Sequence, residues 1–252
     1  MEILVCIKRY ILAGSEFVLT ADATEIDARQ LGYTLAPHEE VAVEQAIRFV
    51  EEFGGSTTVL SLGVPDAEEQ MREQMAIGAD RGILLATDGS EWDAQATAAA
   101  IVDAVRAQPQ SFDLILFGAE SADTNNSQVG IRVAHALGLP IVTNVRGVTI
   151  EGGVARCERV VGSGREVYEV SLPAVLTTRE GLNIPRYPSV PGRIKARKKP
   201  IETSTPAKPA AKVEKVRLIV PPNQKTGATI LGNGPAAAAA AVAMMEEIGV
   251  LA

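Results

Sequence analysis

The stretch LILFGAESADTNNSQVG, residues 114–130, sets the fold class of this chain. Its first four residues, Leu114 to Phe117, are a continuous apolar run, as expected of a parallel strand buried on both faces. Gly118 ends that run, a loop of small polar residues follows, and a helical pattern begins near Ser127 and runs to Leu137. A buried strand that feeds a helix through such a loop is half of a strand–helix–strand unit. The carboxyl end of the strand is where open α/β sheets bind ligands.

The same alternation extends toward the N-terminus. Ile3–Ile7 reads as a central strand, and Glu39–Phe53 as a helix with Ala42, Ala46, Phe49 and Phe53 on one face, stopped by Gly54-Gly55. Thr57–Leu62 is the next strand. Asp66–Ile77 is the next helix, with Met71 and Met75 on one side and Gly78 as its stop. Gly82–Ala86 and Asp93–Ala107 repeat the pair. Units of this length predict a mostly parallel, doubly wound α/β sheet with helices on both faces.

Beyond Pro140 the pattern changes. Val145–Ile150 and Val154–Val161 flank Glu151-Gly152-Gly153, and Gly162-Ser163-Gly164 precedes Arg165–Val170, so this region predicts antiparallel hairpins. Ala174–Thr177 is one more apolar strand. From Arg179 onward, Pro185, Pro188, Pro191 and Pro200 interrupt regular structure, and Lys195–Lys199 holds four basic residues in five. Thr203–Lys212 reads as a linker, Val216–Val220 as a strand, and Pro235–Ile248 as a final helix ended by Gly249. This divides the chain into a nucleotide-binding α/β domain at 1–200, including a loop at 178–200, and an arm at 201–252. An arm that short must pack on another surface.

Hydrophobic residues make up 46% of the 252-residue chain and aromatics only 4%, so the core is built from Ala, Val, Ile and Leu. A net charge of −7 argues against nucleic acid as a partner. Cys6 and Cys157 are too few for a disulfide framework or metal site and fit a reducing compartment. The opening residues are too short in apolar length for a signal peptide, and no run reaches the ~18 apolar residues of a membrane helix, so a cytoplasmic location is expected.

Within the loop, Ser121, Asp123, Thr124, Asn125, Asn126 and Ser127 offer hydroxyls, amides and a carboxylate. The helix start beyond them offers unpaired N–H groups for a phosphate. Asn and Ser also favour turns for local reasons, so the residues alone leave an ordinary capped loop open. No GK[ST] follows and no GxGxxG occurs, which removes the usual phosphate loops of hydrolases and ligases. Ala36-Pro37-His38-Glu39-Glu40 suits a helix start, and His38 there is either a surface histidine or one that faces a cofactor. His38 and His135 do not combine with a Ser, Cys or paired carboxylates, and Cys6 sits in a buried strand, so nothing asks for catalysis by this chain alone.

Several segments together resemble the electron-transfer flavoprotein β-subunit family, including its FixA-type members. They are the strand ILVCIKR with Lys8-Arg9, the helix entry PHEEVAVEQA at Pro37–Ala46, and MAIGADRG at Met75–Gly82. LNIPRY at Leu182–Tyr187, followed by PSVPGRIKARKK at Pro188–Lys199, completes the set. The resemblance spans residue 1 to about 200. It implies an adenine-nucleotide α-hydrolase-like fold and a heterodimer with a larger α-subunit that holds most of one flavin adenine dinucleotide (FAD). It further implies a second nucleotide in the small subunit, AMP in the common carriers and a second FAD in bifurcating members. Carried over by motif, that nucleotide touches Cys6, Ala36, Pro37, His38, Glu39, Leu62, and the loop Gly118, Ala119, Glu120, Ser121, Ala122, Asp123, Thr124, Asn125, Asn126, Ser127, Gln128 and Val129.

The chain departs from the family's pattern at Ala36, where Asn is usual, and at His38, where an aromatic is usual. At Ala119 a basic residue is missing, and Glu120 adds a carboxylate. Val129 resembles the FixA-type and bifurcating members. The resemblance also implies that Leu182, Asn183, Pro185, Arg186 and Tyr187 dock flavin-dependent dehydrogenases, with Leu182 as the anchor, and that a quinone oxidoreductase is a candidate acceptor. On residues alone, Leu182 packs locally. The basic run Arg193–Lys199 suits an acidic protein surface. The reading is thus a redox carrier subunit rather than an enzyme; a stand-alone adenine-nucleotide sensor is the alternative, and bound flavin separates the two.

Overall fold

Strand β1 (Glu2–Ile7) carries large apolar side chains at every position from Ile3 to Ile7 because it is buried on both faces. Ile3, Val5 and Ile7 enter one core cluster, while Leu4 and Cys6 enter the other. This period-2 division is what a central parallel strand imposes. The structure, a computed structural model, describes residues 1–12, 18–27, 29, 31–213, 215–220 and 229–251.

A short antiparallel pair follows, β2 (Arg9–Ile11) with β3 (Tyr33–Leu35), and leads into α1 (Pro37–Phe53). Strand β4 (Ser56–Gly63), a 3₁₀ turn at Pro65–Ala67, α2 (Glu68–Ile77) and β5 (Arg81–Ala86) come next. Then come α3 (Ala94–Ala107), β6 (Leu114–Gly118), α4 (Val129–Leu137) and β7 (Ile141–Val145). Strands β8 (Gly147–Glu151), β9 (Val154–Val161) and β10 (Gly164–Ser171) form a separate antiparallel meander. The chain then returns to the main sheet as β11 (Ala174–Thr178), forms α5 (Val190–Ala196), and adds β12 (Ile201–Ser204).

The main sheet has seven strands in the order β12-β5-β4-β1-β6-β11-β7, and every neighbouring pair is parallel. Side chains of α1 and α2, among them Ala42, Ala46, Met71 and Met75, close one face. Ala98, Ile101 and Val102 of α3, with Val133 and Ala134 of α4, close the other. The doubly wound α/β sheet and its antiparallel hairpins are therefore as the sequence predicts.

The differences lie where polar residues or prolines obscure the pattern. Helix α4 starts at Val129 rather than Ser127, because Ser127 takes a left-handed φ of 51° that no helix tolerates. The run Ile141–Val145 is a parallel edge strand, although Thr143 and Asn144 break its apolar character. Pro191 does not prevent structure; it sits in the first turn of α5, where its missing N–H costs nothing. Ser189 caps that helix, its hydroxyl accepting from the Gly192 N–H at 3.1 Å. Val216–Val220 is not a strand, and Thr203-Ser204 belong to β12 rather than to a linker. The final helix, α6 (Ala238–Glu247), follows a 3₁₀ turn at Gly234–Ala237 and buries no residue on the rest of the chain.

The segment between β11 and α5 is pinned onto α1. Arg186 donates through Nε and Nη2 to Glu44 at 2.9 and 3.1 Å, and through Nη1 and Nη2 to Glu51 at 2.6 and 2.9 Å. Glu44 is 1% exposed and also receives Arg48 Nε at 2.6 Å. Burial opposes its ionisation, but the Arg186 and Arg48 hydrogen bonds prevail and hold its pKa below the ordinary value. Asn183 Nδ2 adds a bond to the Val41 carbonyl at 2.9 Å. Arg186→Ala is therefore expected to destabilise the chain by about 2–3 kcal/mol, less than a fully buried pair because Arg48 remains. Arg186→Lys should recover little, since an ammonium cannot bridge two carboxylates as the planar fork does. Urea unfolding of the three proteins checks this.

Candidate functional site

The chain leaves β1 through β4 and β5 on one side of the sheet, then crosses to β6 on the other. The strand order thus reverses between β1 and β6, and a crevice opens beyond their carboxyl ends. Four segments meet there: Cys6 to Lys8 after β1, the first turn of α1, Leu62 near the end of β4, and the loop after β6.

Gly118 allows this meeting. A Cβ at that position would lie 2.9 Å from Glu39 Cγ and 3.2 Å from His38 Cβ, so β6 ends directly against the first turn of α1. Glu39 is 5% exposed and accepts from the backbone N–H groups of Lys8 at 3.0 Å and Ala36 at 3.3 Å. The second contact is half of a capping box, with Ala36 unable to return it. Burial pushes the Glu39 carboxyl up to about 8, against the pull of the Ala36 and Lys8 N–H groups. The hydroxyl of Thr178 donates to the His38 carbonyl at 2.8 Å and fixes the same turn to β11. His38 itself is half-buried, and its Nδ1 is buried without a partner among the described residues. Burial, with Arg179 nearby, lowers its pKa and keeps the imidazole neutral at pH 7.

The loop after β6 is held at both ends and open in the middle. Ala119 N–H donates to the Thr178 carbonyl at 2.9 Å and Asn125 N–H to the Ser121 carbonyl at 2.9 Å, while the Ser121 and Thr124 hydroxyls lie 2.6 Å apart. Asn125 and Ser127 both adopt left-handed φ values, 49° and 51°, on either side of Asn126. The backbone N–H groups of Asn126, Ser127 and Gln128 find no acceptor among the described residues. Together with the first N–H groups of α4, starting at Val129, they make a run of free donors at a helix N-terminus, the kind of feature that suits an anion. Residues Ala122 to Gln128 are exposed, as that use requires.

Two charged side chains outside the expected site residues complete the site. Lys8 Nζ reaches Asp123 at 2.6 and 2.8 Å, tying the end of β1 to the loop. Arg179 Nη2 reaches Glu120 Oε1 at 2.8 Å, so the added carboxylate is ion-paired, while its other oxygen lies 3.5 Å from the Ser127 hydroxyl. Both cations directly follow a β-strand at the crevice end of the sheet, and that position was the available signal. Of the other expected residues, Cys6 is buried, and burial pushes its thiol well above the ordinary value, which leaves it inert. Gln128 accepts from Arg132 at 3.0 Å and steadies the start of α4. Among the described residues no group of three or more His, Cys, Asp or Glu could hold a metal ion, and no helix is long and apolar enough to cross a membrane.

The second predicted group divides. Asn183 and Arg186 point inward to α1, and Leu182 is half-buried against the core. What stands out from the loop is Ile184, 85% exposed, and Tyr187, 95% exposed, with Val190 beyond them and Pro185 half-buried. The basic run is partly engaged: Lys199 Nζ donates to the Met75 and Ala79 carbonyls at 3.0 and 2.6 Å and closes the end of α2.

Glu39 gives the site a pH signature. Below about pH 4.5 the carboxyl is protonated in both folded and unfolded chains, and folding keeps its full advantage. From there to about pH 8 the unfolded chain ionises while the folded one does not. Stability then falls by up to about 1.4 kcal/mol per pH unit until the folded pKa is passed. Glu39→Gln should remove this component and flatten the unfolding free energy between pH 5 and 8 relative to the parent. Parallel curves for the two proteins would contradict the assignment.

The family described as "Electron transfer flavoprotein domain" matches residues 24–209. The chain is 37% identical over 231 residues to a protein of Syntrophomonas wolfei called electron transfer flavoprotein subunit beta, covering 91% of this chain and 90% of that one. It is 31% identical to the Bacillus subtilis protein of the same name, with 92% of each covered. The mitochondrial subunit beta of Arabidopsis thaliana is 32% identical, with 91% and 93% covered. With a parallel sheet whose strand order reverses beside an anion-suited loop, and relatives matched over nine-tenths of their length, the chain belongs to the electron transfer flavoprotein family.

Proposed function

We propose that this chain is the small subunit of a heterodimeric electron-transfer flavoprotein. In this reading it is a cytoplasmic carrier that binds AMP in the crevice between β1 and β6 and shares one FAD with a larger α-subunit. The observation that carries the reading is the set of unpartnered N–H groups at Asn126, Ser127 and Gln128, at the switch point of the sheet. A nucleotide phosphate there meets backbone donors and the positive end of α4, worth about half an elementary charge, so the basic residue missing at Ala119 is not essential. Asp123, already held by Lys8, fixes the loop from the other side.

The flavin, when bound, supplies the electron-accepting chemistry; the residues of this chain position and shield. His38 suits one wall of the flavin site, because a neutral, half-buried imidazole adds no charge beside the ring. The larger subunit is proposed to cover the arm from Thr205 onward. Helix α6 buries nothing on its own chain, and Val242, Met245 and Ile248 are exposed on it and at its end. Flavin-dependent dehydrogenases are proposed to dock on the Ile184–Tyr187 loop. Its base is held rigid by Arg186, so its exposed apolar side chains enter a partner pocket at small ordering cost.

The heterodimer should copurify as a yellow complex that releases FAD and AMP in equal amounts on denaturation, identified by mass. Two FAD per heterodimer would replace AMP by a second flavin at the same site. Ser127→Asp, which places a carboxylate among the donors, should strip most of the AMP and leave the FAD. Unchanged AMP content in that variant would remove the crevice from the proposal.

Docking has its own readout. Tyr187→Ala is expected to lower the rate of electron transfer from the donor dehydrogenase at subsaturating carrier by roughly tenfold, with the heterodimer and its flavin spectrum intact. An unchanged rate would place the docking surface elsewhere.

A further inference from the structure

A hollow of about 200 Å³ is lined by Asn144, Arg146, Arg159, Val160, Val161 and Arg179. Three guanidinium groups thus converge on one cavity in a chain whose net charge is −7. A smaller hollow of about 80 Å³ shares Arg146 and Arg159 and adds Arg165. Around both, five arginines meet three carboxylates: Glu158 pairs with Arg156 and Arg165, Glu166 with Arg159, and Glu120 with Arg179. Arg146 makes no salt bridge among the described residues, and it is exposed at the cavity wall. Like charges gathered without full compensation repel one another, and an anion among them relieves that repulsion.

The backbone beneath is bent to serve this cavity. The pairing of β7 with β11 shifts register between Leu176 and Thr178, and Asn144 there adopts a left-handed φ of 58°. The Thr177 hydroxyl accepts from the Asn144 N–H at 3.0 Å and holds that conformation. A bulge of this kind redirects a side chain, and Asn144 lines the same hollow as the arginines. Arg159 is fixed from behind by Glu166 at 2.5 Å and by Thr143 at 3.3 Å.

We propose that this cavity is a binding site for a phosphate-class oxyanion, held by Arg146, Arg159, Arg179 and Asn144, with Glu120 as a built-in competitor. Guanidinium forks match phosphate oxygens in pairs, and a tetrahedral anion can take donors from three directions at once. Glu120 already offers Arg179 the oxygen that such an anion would supply. Its other oxygen lies 3.5 Å from the Ser127 hydroxyl. An arriving anion displaces Glu120 from Arg179, and the freed carboxylate is then held only through the crevice loop. Arg179, paired with Glu120 of the loop after β6, borders both sites, whereas Arg146, Arg159 and Asn144 belong to the cavity alone.

The test is calorimetric titration of the full-length chain with inorganic phosphate and pyrophosphate at low ionic strength. Saturable binding is expected, weakened roughly tenfold by Arg146→Ala and strengthened severalfold by Glu120→Gln. Arg146 is exposed, so the variant should melt as the parent does; Arg146→Lys, which keeps charge without the fork, should recover only part of the affinity. Parallel titration with AMP identifies the source of the anion. If AMP affinity falls with phosphate affinity in Arg146→Ala, the cavity takes the nucleotide's phosphate; if only phosphate affinity falls, the anion is a separate ligand. No saturable binding in parent or Glu120→Gln, or equal affinity in parent and Arg146→Ala, overturns the site. Loss of AMP from Ser127→Asp with phosphate binding retained would separate the two sites.

Discussion

Where β6 meets the first turn of α1 there is no room for a side chain, and the position of every other group at the crevice depends on that contact. Gly118 brings the strand end within reach of Glu39, and Glu39 in turn receives the N–H groups of Lys8 and Ala36. One carboxyl therefore joins β1, β6 and the entry to α1. Because it is buried, it cannot be moved or replaced by solvent, and the loop from Ala119 to Gln128 leaves the sheet in a fixed direction. Thr178 adds the third strand through its bond to the His38 carbonyl. The open donors at Asn126 to Gln128 stand on this small, dry junction.

Much of this architecture is legible in the sequence because the central strands are apolar on both faces. Ile3–Ile7 and Leu114–Phe117 can be little else, and the glycines that follow them mark the crevice. Legibility fails at the rims. The strand Ile141–Val145 is half-exposed and carries Thr143 and Asn144, and Ile201–Ser204 has one partly buried residue among four. Such segments become strands because a neighbour offers hydrogen bonds, a tertiary cause that composition does not record. Helix α5 is hidden for a different reason: Pro191 reads as a break, whereas in a first turn it is a start.

The site divides along the same line. Backbone donors in a small polar loop are readable from residue types and position. The partners of charged side chains are not, since Lys8 finds Asp123 and Arg186 finds Glu51 across more than a hundred residues of chain. Glu120 is the clearest case. In sequence it is an acidic residue placed where phosphate is expected; in the fold it answers Arg179. Leu182 and Tyr187 show the apolar counterpart, for the same short loop turns the first inward and the second out.

Strand β12 bears on how the chain acquires its structure. It lies parallel to β5 at the outer edge of the sheet, with the Gly82 N–H donating to the Pro200 carbonyl at 3.0 Å. On the ribosome, β5 is made long before its neighbour, and until residue 204 has emerged its outer edge exposes unpaired backbone groups beside apolar Ile83, Leu84 and Leu85. Such an edge invites pairing with other nascent chains. The four residues of β12 therefore act as a seal applied late, and the interval before they arrive is one in which this edge is open to aggregation.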